Sequence, residues 1–254
     1  MQKAQYKEKI AISIDPMLLS RIDSTIDNSL IKSRSQAIEV LLGRALGAGA
    51  RKAVILLKAG HIPLSLSDVS GKPVIQRQLG FLAKNGISTA IILTEPSKNT
   101  AALQKLLSKQ PLPFEIVEQR AKGTAASIYA ARNLLKGEHF VLMSGDTLMD
   151  FDLGKMVEKH LSAGKLITMG LINSPVAHNY TSVNLEGDTI KELKERKQGI
   201  SHIINAGIYI VSPSALKLLA GKRDLVTEVF PKLVKDNEIQ GYFAFGNYTH
   251  LEER

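Results

Sequence analysis

Residues 52–57, Lys52-Ala53-Val54-Ile55-Leu56-Leu57, place five apolar side chains in a row behind one lysine. That is the pattern of a strand buried on both faces of a parallel sheet. On its C-terminal side, helix and strand patterns alternate. Pro73–Leu82 reads as a helix, Ser88–Thr94 as a strand and Ala101–Leu107 as a helix. Phe114–Glu118 reads as a strand, Ala125–Leu135 as a helix, and His139–Ser144 as a strand that ends at Gly145-Asp146. This alternation predicts a doubly wound, mostly parallel α/β sheet. Ligands of such sheets sit at the carboxyl ends of the strands. Those ends are the loop after Leu57, the run Gln119–Thr124, and Gly145-Asp146.

On the N-terminal side the grammar differs. The small residues Gly47-Ala48-Gly49-Ala50 read as a helix stop or linker, dividing the chain into residues 1–48 and 51–254. In the first part, Ile10, Ile12 and Ile14 alternate with Lys9, Ala11 and Ser13, the period of a half-buried strand. Asp15-Pro16 then supplies an N-cap and a first-turn proline. Leu18, Leu19, Ile22 and Ile26 follow at helical spacing. After a turn at Ile31–Ser35, capped by Ser33 or Ser35, a second helix carries Ile38, Leu41, Leu42 and Ala45. One strand and two short helices cannot bury a core alone. The simplest solution is a homodimer whose two strands pair antiparallel, with assembly beyond the dimer left open.

The chain has 254 residues and a formal net charge of 33 − 24 = +9. The charge is spread, +2 over residues 1–48 (7 basic, 5 acidic) and +7 over the rest (26 and 19). A basic balance suits phosphate-bearing partners without choosing between nucleotide and DNA. There is no cysteine, so disulfides, thiolate metal sites and a cysteine nucleophile are excluded. No apolar run reaches the roughly 18 residues of a spanning helix. The N-terminal residues show no secretory pattern, so a cytoplasmic, non-membrane protein is expected. His61, His139, His160, His178, His202 and His250 show no metal-ligand spacing and read as structural or surface residues.

The stretch KIAISIDPMLLSRIDSTIDNSLIKSRSQAIEVLLGRAL resembles a ribbon-helix-helix domain of the MetJ/Arc type over residues 7–46. The resemblance implies that Lys9, Ala11 and Ser13 face bases of double-stranded DNA from a two-stranded ribbon. It also implies that Ser33, Arg34 and Ser35 hold the DNA backbone.

In the second part, Asp146 ends a buried strand behind a glycine that lets a ligand come close. A carboxylate there can hold Mg²⁺ on phosphate oxygens; a helix cap is the plainer alternative. Gly123-Thr124 opens a helix, where an anion or a flat base could sit, or Thr124 could simply cap. Lys72 opens a helix behind Gly71 and could meet a phosphate or be solvated. Together, RKAVILLKAG, GKPVIQRQLGFLAKNGI, VEQRAKGTAASIYAARNLL, FVLMSGDTLMDFDL and IKELKERKQGISHIINAGIYIVSPSAL resemble the sugar-phosphate nucleotidyltransferases, from residue 52 to about 250. Those enzymes join a nucleoside triphosphate to a sugar 1-phosphate with Mg²⁺ and release pyrophosphate. The resemblance implies that Gln119, Gly123 and Thr124 lie by the base and that Asp146 is a metal ligand. It places Glu195, Asn205 and Gly207 by the sugar, with Gly60 and Lys72 in the ligand site.

The departures from the family pattern fall on the chemistry. The glycine-rich first loop with its Gly-Thr-Arg is here Lys58-Ala59-Gly60-His61-Ile62-Pro63-Leu64. Glu-Lys-Pro is Glu195-Arg196-Lys197. The second metal carboxylate is replaced by His250 or Thr249. Losing one preorganised donor commonly costs roughly 10²- to 10³-fold in rate. The expectation is therefore a dimeric DNA-binding transcriptional regulator without catalytic residues. Its catalytically degenerate domain would sense a nucleotide, nucleotide sugar or sugar phosphate, with no cofactor certain and Mg²⁺ only if the site is active. The alternative is an active Mg²⁺-dependent sugar-phosphate nucleotidyltransferase carrying a DNA-binding arm.

Overall fold

The computed structural model describes residues 9–28, 31–45, 49–175, 180–195 and 201–251. In chain order the elements begin with α1 (Pro16–Asp23), α2 (Arg34–Ala45), β1 (Lys52–Leu57), α3 (Ile62–Leu66), β2 (Asp68–Val69), β3 (Lys72–Pro73) and α4 (Val74–Lys84). Next come β4 (Thr89–Thr94), α5 (Thr100–Leu107), β5 (Phe114–Glu118), α6 (Thr124–Ala130), α7 (Arg132–Leu135), β6 (Phe140–Ser144), β7 (Thr147–Asp150) and α8 (Leu153–Ala163). The chain continues with β8 (Ile167–Asn173), β9 (Ser182–Glu186), β10 (Thr189–Lys194), β11 (Ile203–Val211) and a 3₁₀ helix, Pro213–Leu219. A π-helical turn (Leu225–Val229), α9 (Phe230–Lys235), β12 (Ile239–Phe243) and β13 (Asn247–His250) complete the described order.

A nine-stranded sheet runs β5-β4-β1-β6-β11-β8-β12-β10-β9. The run 52–57 is one of its inner strands, pairing parallel with β4 (Val54 beside Ile91) and with β6 (Val54 beside Leu142). Side-chain alternation sends these residues to opposite faces. Val54, Ile91 and Leu142 join the apolar layer under α6, α7 and α9. Ala53, Ile55, Ile92 and Met143 join the layer under α4, α5 and α8. Within this sheet β5, β4, β1 and β6 run parallel, as the alternation predicts. Beyond β6 the sheet is mixed, because β11 runs antiparallel to both β6 and β8. The expected helix Ala125–Leu135 is broken into α6 and α7 at Ala131.

At the N-terminus, Asp15 caps α1, its carboxylate accepting from the N–H groups of Met17 (2.8 Å) and Leu18 (3.2 Å), with Pro16 in the first turn. Ile22, Ile31, Ala37 and Val40 form a small apolar cluster of their own. Residues 9–14 are assigned no strand. A strand needs a hydrogen-bonded neighbour, and within the single described chain this one has none. Ile10 and Ile12 are 72% and 56% exposed. The Gly47-Ala48 half of the expected linker lies outside the described residues. Among the described residues no helix is long and apolar enough to cross a membrane.

Candidate active site

Asp146 stands in the turn between β6 and β7, at the carboxyl end of the parallel strands. The turn is held from three sides. Gln78 on α4 donates from Nε2 to the carbonyls of Ser144 (3.0 Å) and Thr147 (2.8 Å). The Gly145 N–H donates to the Leu56 carbonyl (2.8 Å), and the Leu251 N–H to the Asp146 carbonyl (2.9 Å). A Cβ on Gly145 would meet the Leu57 side chain at 2.8 Å and the Leu56 carbonyl at 2.9 Å. The glycine therefore serves the close approach of β1, correcting the expectation that it makes room for a ligand.

The Asp146 carboxylate is only 8% exposed. Its Oδ1 accepts from the Ser144 hydroxyl (2.6 Å). Its Oδ2 faces two imidazoles, His61 Nδ1 at 3.5 Å and His250 Nε2 at 3.8 Å. This overturns the reading of those histidines as bland. Only the fold brings them together.

 His61 precedes Asp146 by 146 − 61 = 85 residues and His250 follows it by 250 − 146 = 104, which no spacing rule connects.

Asp146 opens onto a cleft of about 510 Å³. Its walls are the β1 end with Lys58, Gly60 and His61, the α6 start with Gly123 and Thr124, the β11 residues Asn205, Gly207 and Tyr209, and Tyr248 and His250 on β13. The expected ligand residues Gly60, Gly123, Thr124, Asp146, Asn205 and Gly207 thus converge. Three others do not line the cleft. Lys72 sits on the β2–β3 hairpin and lines a neighbouring groove with Arg77, Lys84 and Asp150. Glu195 is exposed, and Arg196 and Lys197 lie outside the described residues. Gln119 follows β5, its N–H donating to the Thr94 carbonyl at 2.9 Å. Both polar atoms of its side-chain amide are buried with no partner among the described residues.

The start of α6 is not an anion site. Gly123 has φ +101°, and a Cβ there would collide with the Arg223 carbonyl. That carbonyl accepts from the N–H groups of Ala125 (3.0 Å) and Ala126 (3.3 Å), so the amides a phosphate would use are already committed. Thr124 donates from its hydroxyl to Asp224 (2.9 Å) and accepts from the Leu225 N–H (2.9 Å), locking α6 to the following segment. At Asp224 burial works against ionisation. Hydrogen bonds from the Thr227 and Val226 N–H groups and the Thr124 and Thr227 hydroxyls outweigh it and hold the carboxyl below its ordinary value.

Sequence reading missed Tyr209, whose strand position looks like plain core. Asn205 is pinned by the Gly207 N–H on its Oδ1 (3.0 Å) and donates from Nδ2 to the Tyr209 hydroxyl (2.7 Å). Burial raises the phenol to about 12, against that hydrogen bond, so Tyr209 is a neutral hydroxyl at the cleft wall.

The expected DNA contacts fare differently. Arg34 donates from Nε and Nη2 to the two carboxylate oxygens of Asp23 (both 2.7 Å). That hydrogen bonding holds the Asp23 carboxyl below its ordinary value. Ser33 accepts from the Gln36 N–H (3.3 Å) as a helix cap. The expected backbone clamp is thus largely internal structure. Ser35, Lys9, Ala11 and Ser13 are exposed.

A family model described as Nucleotidyl transferase matches residues 63–248. Among curated proteins, the chain is 27% identical over 198 residues to mannose-1-phosphate guanyltransferase beta-A of Xenopus laevis, covering 72% of this chain and 54% of that one. It is 27% identical over 196 residues to the mannose-1-phosphate guanylyltransferase catalytic subunit beta of Danio rerio, with the same coverage, 72% and 54%. The chain spans about half the length of these curated relatives. Among solved structures, HddC from Yersinia pseudotuberculosis complexed with GMP-PN superposes with a TM-score of 0.67 at 20% identity, covering 79% of this chain and 93% of that one. A UDP-glucose pyrophosphorylase from Acinetobacter baumanii gives 0.66 at 16% identity, covering 80% and 88%. At these identities the structures show the shared fold. The named relatives are enzymes. They overturn the expectation of a DNA-binding transcriptional regulator with a non-catalytic sensing domain, and back the active-enzyme alternative. The family model covers most of the chain and spans Asp146, Asn205, Gly207 and Tyr209, so the chain belongs to the nucleotidyl transferase family.

Proposed function

We propose that this protein is a sugar-phosphate nucleotidyltransferase. One observation carries the reading: a braced, nearly buried carboxylate, Asp146, faces a cleft walled by Asn205, Gly207 and Tyr209 at the carboxyl end of a parallel sheet. In the reaction a phosphate oxygen of a sugar 1-phosphate forms a bond to the α-phosphorus of a nucleoside triphosphate. The α–β bridging bond breaks, and pyrophosphate leaves with those electrons. Such chemistry is governed by positioning and charge stabilisation.

A single carboxylate oxygen turned to a cleft fits a cation that completes its shell with water and phosphate. Asp146 is the residue that would hold it, and Mg²⁺ is the ion the family resemblance implies. Bound there, a divalent cation neutralises charge on the phosphate oxygens. Lys58 contributes a further positive charge at the cleft rim. Tyr209, fixed by Asn205, offers its O–H to a ligand acceptor. The relatives' names make a guanine nucleotide and mannose 1-phosphate the first pair to assay. Pyrophosphate release is expected with a nucleoside triphosphate and a hexose 1-phosphate together, with neither alone, and its loss in Asp146→Ala. Absence of release across a full panel of bases and sugar 1-phosphates would overturn the reading.

We infer a second point, resting on the exposed Ile10 and Ile12, in alternation with an Ile14 packed against the N-terminal apolar cluster. The ribbon-helix-helix resemblance over residues 7–46 implies an arm in which two copies pair their strands, making the protein a homodimer. The separate apolar cluster of this arm supports a division into residues 1–48 and 51–254. A cytoplasmic location fits a chain with no cysteine.

A further inference from the structure

Asp146 is partnered in an unusual way for a cation-holding carboxylate. The nearest donor to it on β13 is nitrogen, not a second carboxylate. His250 Nε2 lies 3.8 Å from Asp146 Oδ2, and its side chain is nearly buried. The imidazole is placed rigidly. His250 pairs with Thr147 in the β13–β7 ribbon, and the next residue, Leu251, donates its N–H to the Asp146 carbonyl. The Tyr180 ring stands edge-on to it at 5.5 Å. His250 Nδ1 has no partner among the described residues, so no hydrogen bond at that nitrogen fixes the ring's tautomer.

We propose that Asp146 and His250 together form a mixed carboxylate–imidazole site for a divalent transition-metal ion, so that the cation used here is of the Co²⁺, Ni²⁺ or Zn²⁺ class rather than Mg²⁺. The inference rests on the reading of Asp146 as the cation-holding residue. The distances fit. Two donors bound to one ion at about 2.1 Å and a tetrahedral angle lie about 3.4 Å apart, so His250 needs to close by only a few tenths of an ångström. The donor chemistry decides the ion: imidazole favours the later transition metals, while Mg²⁺ takes oxygen and keeps its waters. Among the described residues no group of three His, Cys, Asp or Glu could hold an ion. Asp146 and His250 supply two donors, and water and phosphate would fill the remaining positions of such a site.

The test is titration of the full chain with Co²⁺ alone, followed by its visible absorption, with Mg²⁺ as competitor. Wild type is expected to bind Co²⁺ at least about tenfold more tightly than Mg²⁺. His250→Ala should lose that advantage, and His250→Asp should turn the preference toward Mg²⁺. Melting temperatures of the three proteins establish that each is folded, and the wild-type competition decides even where a variant is not. Equal affinities in wild type, or a Co²⁺ affinity unchanged in folded His250→Ala, would overturn the proposal. Asp146→Ala separates the two failures. If it alone abolishes cation binding, Asp146 keeps its role and only the imidazole is excluded. If it changes nothing, the reading of Asp146 falls as well.

Discussion

The Asp146 carboxylate has little freedom to move, because its turn is hydrogen-bonded to α4, β1 and the residue after β13. Asp146→Asn keeps that scaffold and removes the charge. It is expected to lower kcat by about 10²- to 10³-fold with an unchanged melting temperature, checked by steady-state kinetics and thermal unfolding. Tyr209→Phe leaves the Asn205 amide without its acceptor. It should destabilise by about 1–2 kcal/mol and raise KM, read from urea unfolding and a substrate titration. At this scale the sequence reading was uneven. Asp146 was legible because it follows a buried strand pattern at a carboxyl end of the sheet, whereas Asn205 and Gly207, inside β11, were placed only by the family resemblance. Lys72 was misplaced, since a two-residue hairpin turned it toward a neighbouring groove. Gln78 and the two histidines were invisible, because their meaning comes from elements folded against the Asp146 turn.

Elements were easier to read than residues. The buried run 52–57, the helix after it and the strand Phe114–Glu118 announce themselves by hydrophobic period. The antiparallel course of β11 does not, since a strand buried on both faces carries the same apolar pattern in either direction. The expected N-terminal strand has no pairing partner within the described residues, and residues 9–14 form no strand there. If two copies supply the ribbon, a charge at its centre should divide them. Ile12→Lys is expected to weaken self-association by at least about tenfold, from burying an unpaired charge, as seen by sedimentation velocity over a concentration series. An unchanged sedimentation profile would remove the ribbon from the interface.

Far from the cleft, a buried polar cluster ties the molecule together. His160, 1% exposed, meets Thr168 (2.8 Å), His139 (3.0 Å) and Ser212 (3.1 Å) through its two ring nitrogens. Burial, with a smaller contribution from His139, lowers its pKa to about 3. The unfolded chain therefore takes up this proton first. The stabilisation is complete above the ordinary histidine value near 6.5 and declines as pH falls toward 3, at about 1.4 kcal/mol per unit. Between pH 7.5 and 5 a loss of about 2 kcal/mol is expected from this group. Urea midpoints at the two pH values check it, and His160→Gln should shrink the difference.

The strand order has a consequence for how the molecule comes into being. β6 has β1 on one side and β11 on the other, and β8 also waits for β11. A growing chain that has reached Ser144 can close β5, β4, β1 and β6 into one layer, yet the far edge of β6 stays bare until residues 203–211 emerge. Pairings so distant in sequence are slow to form, and bare strand edges invite the wrong neighbour. The interval between those two points of synthesis is when this protein is most exposed to aggregation, and when a chaperone would matter most to it.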